Sequence, residues 1–214
     1  HKKNSYHHGN LRPELLTAAR FLLEEVSSDG MCLREIARRA GVSHAAPYRH
    51  FSSKKDLLKT LTIEGLIQLK KEREQKLLEI TEPKEKLFVT MKNYVEFGLN
   101  FPELHELIFG PKSLRYSDKE VQTVFDQSYD DWLDIVNSAM PSTKKKSAKY
   151  VSQAIWFYAH GVLLLSPRTR ISDSKEGDGK SIEGSKAIID SLRFGIEALL
   201  SGCVGGKWEN PYLF

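Results

Sequence analysis

The stretch Cys32 to Lys55, CLREIARRAGVSHAAPYRHFSSKK, constrains the fold of this chain more than any other. Leu33, Ile36, Ala37 and Ala40 recur at three- and four-residue spacing, which predicts an amphipathic helix with a narrow apolar face. Gly41 stands where that helix should stop, because glycine enters the left-handed conformation without steric penalty. Val42 reads as a buried plug, and Ser43 as the hydroxyl cap of a second helix running to about Phe51. A helix, a short turn containing glycine and a second helix offered to a partner is helix–turn–helix grammar.

The partner follows from the second helix, which is too polar and too small-sided on one face to be core. Ser43, His44, Ala45 and Ala46 open it, and their short side chains permit close approach to a base edge or a phosphate. Pro47 removes one backbone N–H near the helix start, where the loss is cheapest. Tyr48, Arg49 and His50 follow, with Lys54 and Lys55 beyond and Arg34 on the preceding helix. Hydroxyl, imidazole and cationic groups are the donors that phosphates and guanines accept from. These eleven residues are the candidate DNA-binding set. Taken alone, the same pattern also describes a solvated basic helix joined to a core.

The full string narrows the choice. Gly41-Val42-Ser43, Tyr48-Arg49-His50-Phe51 and Ser53-Lys54-Lys55-Asp56-Leu57-Leu58, with Gly30 and Ile36-Ala37 upstream, resemble the DNA-binding domain of the TetR family of bacterial transcriptional regulators. That resemblance covers about the first sixty residues. It implies phosphate contacts from Tyr48 and Lys54, with the exposed face of Ser43 to Pro47 in the major groove. Two positions depart from the family pattern: Cys32 stands where a hydroxyl residue is common, and Ala46-Pro47 where Thr-Leu or Thr-Ile is common. Later, Trp156, His160 and Gly161 resemble the tryptophan–histidine–glycine pattern of one TetR subgroup.

Charge placement points the same way. The chain of 214 residues carries +4 overall. Ten basic and five acidic residues precede position 56, leaving a head of +5 on a body of about −1. A basic head on a near-neutral body is an electrostatic footprint of nucleic-acid binding. Two cysteines, Cys32 and Cys203, far apart in sequence, argue against a disulfide framework and fit a reducing cytoplasm. No apolar run approaches the roughly 20 residues that span a bilayer, and no signal peptide is expected. The chain begins without Met, so a start upstream of His1 is expected. The Lys2-Lys3 arm is read as a DNA contact in preference to a metal site at His7 and His8, since adjacent histidines point apart. The Lys144–Lys146 cluster is read as a solvated loop.

Helical periodicity and the near absence of strand signals predict an all-α fold of about nine helices. The expected organisation is a three-helix DNA-binding head over 1–56, a connecting helix over 57–80, and a helical-bundle body for ligand binding and dimerisation over 81–214. A Ser/Gly/Asp-rich loop is expected over 172–184, with a last helix from about Ile182 to Leu200. Tyr94, Phe97, Phe101, His105, Phe125, Tyr129, Trp132 and Phe157 are candidate lining for an apolar or planar effector; each is also an ordinary core aromatic. His160 is read as a core histidine bonded to a neighbour. The two late helices look apolar on more than one face, which marks an interface. Ile155, Val162, Ile189, Leu192, Ile196 and Leu199 are its candidate residues in a two-fold dimer suited to a near-palindromic operator. No phosphate loop, nucleophile elbow or ligand cluster suggests an enzyme, a cofactor or a metal. The expected function is a ligand-responsive repressor binding double-stranded operator DNA as a homodimer. An activator or co-regulator with the same head is the alternative, and a helical enzyme or ligand carrier a more distant one.

Overall fold

A computed structural model of the chain describes residues 11–141, 147–166 and 179–205, with side chains of the last helix from 186 to 202. The Lys2-Lys3 arm, His7, His8, Lys144–Lys146, the start of the Ser172 loop and Cys203 as a side chain lie outside the described residues. Those described form eight α-helices and two 3-10 turns, with no strand among them.

Helix α1, Leu11–Gly30, buries Leu15, Leu16, Ala19, Leu22 and Leu23 on one face. Its regular course breaks at Ser27 (φ 58°), a left-handed conformation uncommon outside glycine. Helix α2, Leu33–Arg39, buries Leu33, Ile36 and Ala37. It ends in a Schellman motif. Gly41 (φ 67°) donates to the Arg38 carbonyl at 3.2 Å, and Val42 to that of Ala37 at 3.0 Å.

Helix α3, Lys54–Leu77, is capped by Ser53, whose Oγ accepts the Asp56 N–H at 3.1 Å. Asp56 returns the contact by accepting the Ser52 N–H at 2.9 Å, a relative of the capping box. Then come α4 (Pro83–Asn100), α5 (Pro102–Phe109), α6 (Lys119–Ala139), α7 (Ala148–Leu165) and α8 (Gly179–Gly205). Proline at the first position of α4 and of α5 costs nothing, because no intrahelical partner awaits its missing N–H. Helix α8 starts inside the expected loop and runs through Gly202, so its extent departs from the sequence reading at both ends. Glycine and serine propensities are weak and do not by themselves halt a helix.

The chain divides into two compact units. The first runs to Ile67 and includes Phe101–Val124, so that α5, read from sequence as body, belongs with the head. Its interior holds Leu15, Leu23, Ile36, Phe51, Leu57, Leu61 and Ile108, all fully buried. Helix α5 packs on α1, and Gly65 makes room for it: a Cβ there would lie 2.7 Å from Ile108 Cδ1. The second unit comprises Gln68–Asn100 and Phe125 onward, with α7 packed on α4 and α8.

Candidate nucleic-acid interface

The reading element is shorter than its sequence suggests. Instead of a second α-helix over 43–51, the chain makes a turn at His44-Ala45 and a 3-10 turn, Pro47–Arg49. Pro47 explains the difference, since it has no N–H to donate to the Ser43 carbonyl. That carbonyl instead takes the Ala46 N–H at 2.9 Å. Arg49 donates to Ala46 at 3.2 Å and His50 to Pro47 at 3.0 Å, each one residue tighter than an α-helical bond. Pro47 itself is buried, as is Phe51. Pro47 is therefore an anchor beneath the element and not part of the surface offered to DNA, against the sequence reading.

With those two residues turned inward, Ser43, His44, Ala45, Tyr48 and Arg49 are exposed; Ala46 and His50 are half-buried. Tyr48 shows 55% of its surface, large for an aromatic ring that no core claims. Arg34 on α2 and Lys55 on α3 are exposed as well. Arg34, Arg49 and Lys55 enter no ion pair among the described residues. Lys54 is different: its Nζ donates to the Asp29 carbonyl at 2.8 Å, while the Asp29 carboxylate pairs with Lys112 at 2.8 Å. Phosphate contact by Lys54 would require it to leave or share that bond.

Two other cations of the head are committed to its architecture. Arg39 reaches Glu25 on α1 through both terminal nitrogens, at 2.7 and 2.6 Å, and Glu35 on α2 at 3.1 Å. Arg38 grips the same Glu35 through two bonds of 2.8 and 2.7 Å. The bonds from Arg38 and then Arg39 hold the Glu35 carboxyl down to about 2. This network fixes α2 against α1; the net charge of the head already offsets these arginines against Glu25 and Glu35, but which carboxylates they meet is set by the fold.

In the second unit, Tyr94, Phe97 and Trp132 are buried, and Phe125 and Tyr129 half-buried. Phe101 and His105 belong to the first unit. Phe157 is 62% exposed. Tyr94 Oη and His160 Nδ1 share a hydrogen bond of 2.7 Å, and the His160 ring stacks on Trp156 at 5.4 Å. A separate cavity of about 640 Å³ is lined by Phe88, Met140, Ile196 and Leu200, with Arg193 bonded to Glu85 at its edge.

The interface residues expected on the late helices divide. Ile155, Leu192 and Ile196 are fully buried within the unit, so they are core; Val162, Ile189 and Leu199 are half-buried. The unpartnered apolar surface is carried by other positions. Tyr150, Phe157, Leu164 and Leu165 on α7 and Phe194 on α8 are each more than half exposed. On α7, Tyr150, Ala154, Phe157, Gly161 and Leu164 repeat at alternating four- and three-residue steps, a single helix stripe that sequence inspection could have separated from the buried one.

Residues 15–61 match the family of bacterial regulatory proteins, tetR family. Among solved structures, a protein of unknown function from Rhodococcus sp. RHA1 is 29% identical, with a TM-score of 0.69 covering 90% of this chain and 98% of that one. FadR of Bacillus subtilis, a transcriptional regulator in complex with stearoyl-CoA, is 19% identical, with a TM-score of 0.56 over 86% of this chain and 98% of its own. AibR, in complex with isovaleryl coenzyme A and operator DNA, is 16% identical, with a TM-score of 0.58 over 84% and 96%. These last two share the fold alone. No curated protein matches.

Proposed function

We propose that this chain, whose head carries the tetR-family segment of bacterial regulatory proteins, is a ligand-responsive DNA-binding transcriptional regulator that represses from a near-palindromic operator as a homodimer. One observation carries the reading. In the matched segment, residues 15–61, α2, the Gly41 turn and a short 3-10 reading element present Ser43, His44, Ala45, Tyr48 and Arg49 on an exposed side. Such a face pairs small side chains that approach base edges with donors that take phosphates.

Dimerisation follows from the stripe on α7 and Phe194 on α8, which is apolar surface that a second copy would cover by two-fold symmetry. Two heads at fixed spacing then select two half-sites, and an effector acts only through its differential affinity for the spacings available. Aromatic side chains of the second unit, with Tyr94 bonded to His160, support an apolar or planar effector. The Trp156, His160, Gly161 pattern supports membership of the tryptophan–histidine–glycine subgroup.

The test is binding of the purified protein to DNA upstream of its own gene, with Tyr48→Phe and Arg49→Ala beside the wild type. Saturable binding to one site, resistant to competitor DNA and weakened by either substitution, is the expected result. Wild-type binding with both variants unaffected would remove the reading element from the mechanism. Release by stearoyl-CoA or isovaleryl-CoA, the compounds held by regulators of this fold, opens the effector screen.

A further inference from the structure

Arg12 stands in the first turn of α1, an unfavourable place for a cation, because a helix N-terminus carries positive partial charge. The head holds it there. Its guanidinium carbon lies 5.2 Å from the centroid of the Phe51 ring, and one terminal nitrogen donates to Thr60 Oγ1 at 3.4 Å. Phe51 closes the reading turn, and Thr60 lies in the second turn of α3. The two contacts therefore place Arg12 over the junction where the reading turn runs into α3.

Among the described residues no carboxylate neutralises it. Arg12 is exposed and enters no ion pair among the described residues, whereas Arg38 and Arg39 are consumed by Glu25 and Glu35. A guanidinium presents five N–H donors in a planar fork, and the bond to Thr60 uses one. Held on an aromatic ring, the fork is pre-organised, so less side-chain freedom is lost when it takes a further acceptor.

We propose that Arg12 is a phosphate-contacting residue of the DNA interface, taking a backbone phosphate beside the bases faced by the reading turn. This rests on the DNA-binding reading and extends its contact surface to α1. The acceptor is phosphate and not a base edge, because Arg12 sits at the α1–α3 junction and not among Ser43, His44 and Ala45. Its contribution is therefore independent of sequence and sensitive to salt.

The experiment compares wild type, Arg12→Ala and Arg12→Lys by fluorescence anisotropy on two duplexes of equal length, one selected by the protein from a random pool and one unrelated. Affinities are measured from about 50 to about 200 mM salt. Arg12→Ala should weaken both duplexes by the same factor. Losing one phosphate contact should also make the slope of log affinity against log salt shallower by about 0.9, so that the gap from wild type closes about threefold over that range. Arg12→Lys should keep most of the slope, because charge alone releases counterions. Thr60→Ala, which removes the bond from Arg12 and the Thr60 hydroxyl's own bond to the Asp56 carbonyl but no charge, should keep the slope too. A role confined to packing on Phe51 would lower the melting temperature and leave the slope unchanged, and that result would overturn the proposal. A loss confined to the selected duplex would overturn it as well, by assigning Arg12 to base readout. If Arg12→Ala does not fold, Arg12→Gln retains a donor for Thr60 and carries the same measurement. Wild-type protein that binds neither duplex overturns the DNA-binding reading itself, a result distinct from wild-type binding with an unaltered slope in the variants.

Discussion

Helix α5 is only eight residues long, and its own N-cap residue, Phe101, has no side chain able to satisfy the N–H groups at the helix start. The cap comes from α1. Glu24 accepts the Leu104 N–H at 2.9 Å and the Glu103 N–H at 3.2 Å, placing a negative charge at the positive end of the helix. Glu24→Ala removes both acceptors. Losing an N-cap costs about 0.5–2 kcal/mol, and charge-assisted bonds at a half-buried site lie toward the upper end, so about 2 kcal/mol is expected. Glu24→Gln keeps one oxygen as a neutral acceptor, and about half that loss is expected. For a chain of this size, 2 kcal/mol corresponds to a melting shift of about 4–8 °C. Trp132 and Trp156, the tryptophans among the described residues, belong to the other unit, so circular dichroism is the suitable probe. Hydrogen exchange over 102–109 should accelerate in the order wild type, Gln, Ala. If both variants melt within about 0.5 kcal/mol of wild type, with exchange over α5 unchanged, the cap from α1 is not what holds this helix.

Three further outcomes follow from named contacts. A Cβ at Gly195 would overlap the Tyr158 ring, which is tied down by its hydroxyl donating to the Ser191 carbonyl at 2.7 Å; Gly195→Ala should cost about 1–3 kcal/mol of stability, with partial recovery in the Gly195→Ala, Tyr158→Ala double variant. Phe157→Glu with Phe194→Glu places charge on the unpartnered apolar stripe and should yield a folded monomer by size exclusion with light scattering; an intact dimer would place the interface elsewhere. Glu35 is held down to about 2 by Arg38 and Arg39, so its contribution to stability is complete above the ordinary value of 4.5 and is lost as pH falls toward 2. Glu35→Gln should therefore flatten the acid limb of an unfolding profile within that window, and an unchanged limb would show that the network does not set it.

What could be read from sequence follows the range of the forces involved. The Schellman stop at Gly41 and the buried face of α2 depend on neighbours within a few positions, and their residues announce them. The reading element failed at one residue. Pro47 was judged by what it costs a helix start, whereas its missing N–H converts the whole segment to a turn and its ring supplies a buried anchor. On α7 and α8 the composition showed too much apolar surface for one face, but not which stripe faces inward. Ile155, Leu192 and Ile196 lie on the buried one, Phe157, Leu164 and Phe194 on the other. The cap from Glu24 to α5 joins residues some eighty positions apart, and no local pattern encodes it.

The same distinction separates affinity from selectivity in the head. Its ten basic residues overstate the groups available to DNA, since Arg38 and Arg39 are neutralised by Glu25 and Glu35 at short range, a cancellation that the net +5 already contains. What remains exposed and without an ion pair among the described residues includes Arg12, Arg34, Arg49 and Lys55, groups that any phosphate backbone would satisfy. Selection among sequences would then fall to the opening of the reading turn. Ser43 and His44 supply the hydrogen-bonding groups there, and Ala45 offers a methyl suited to the C5-methyl of thymine. With Pro47 turned inward, Ser43, Ala45 and Ala46 are short enough to let the backbone approach the groove floor, and His44 alone reaches further. Close approach of a short, tight turn therefore replaces the reach of a longer helix. A half-site read in this way should depend more on groove shape and thymine methyl positions than on bidentate contacts to guanine.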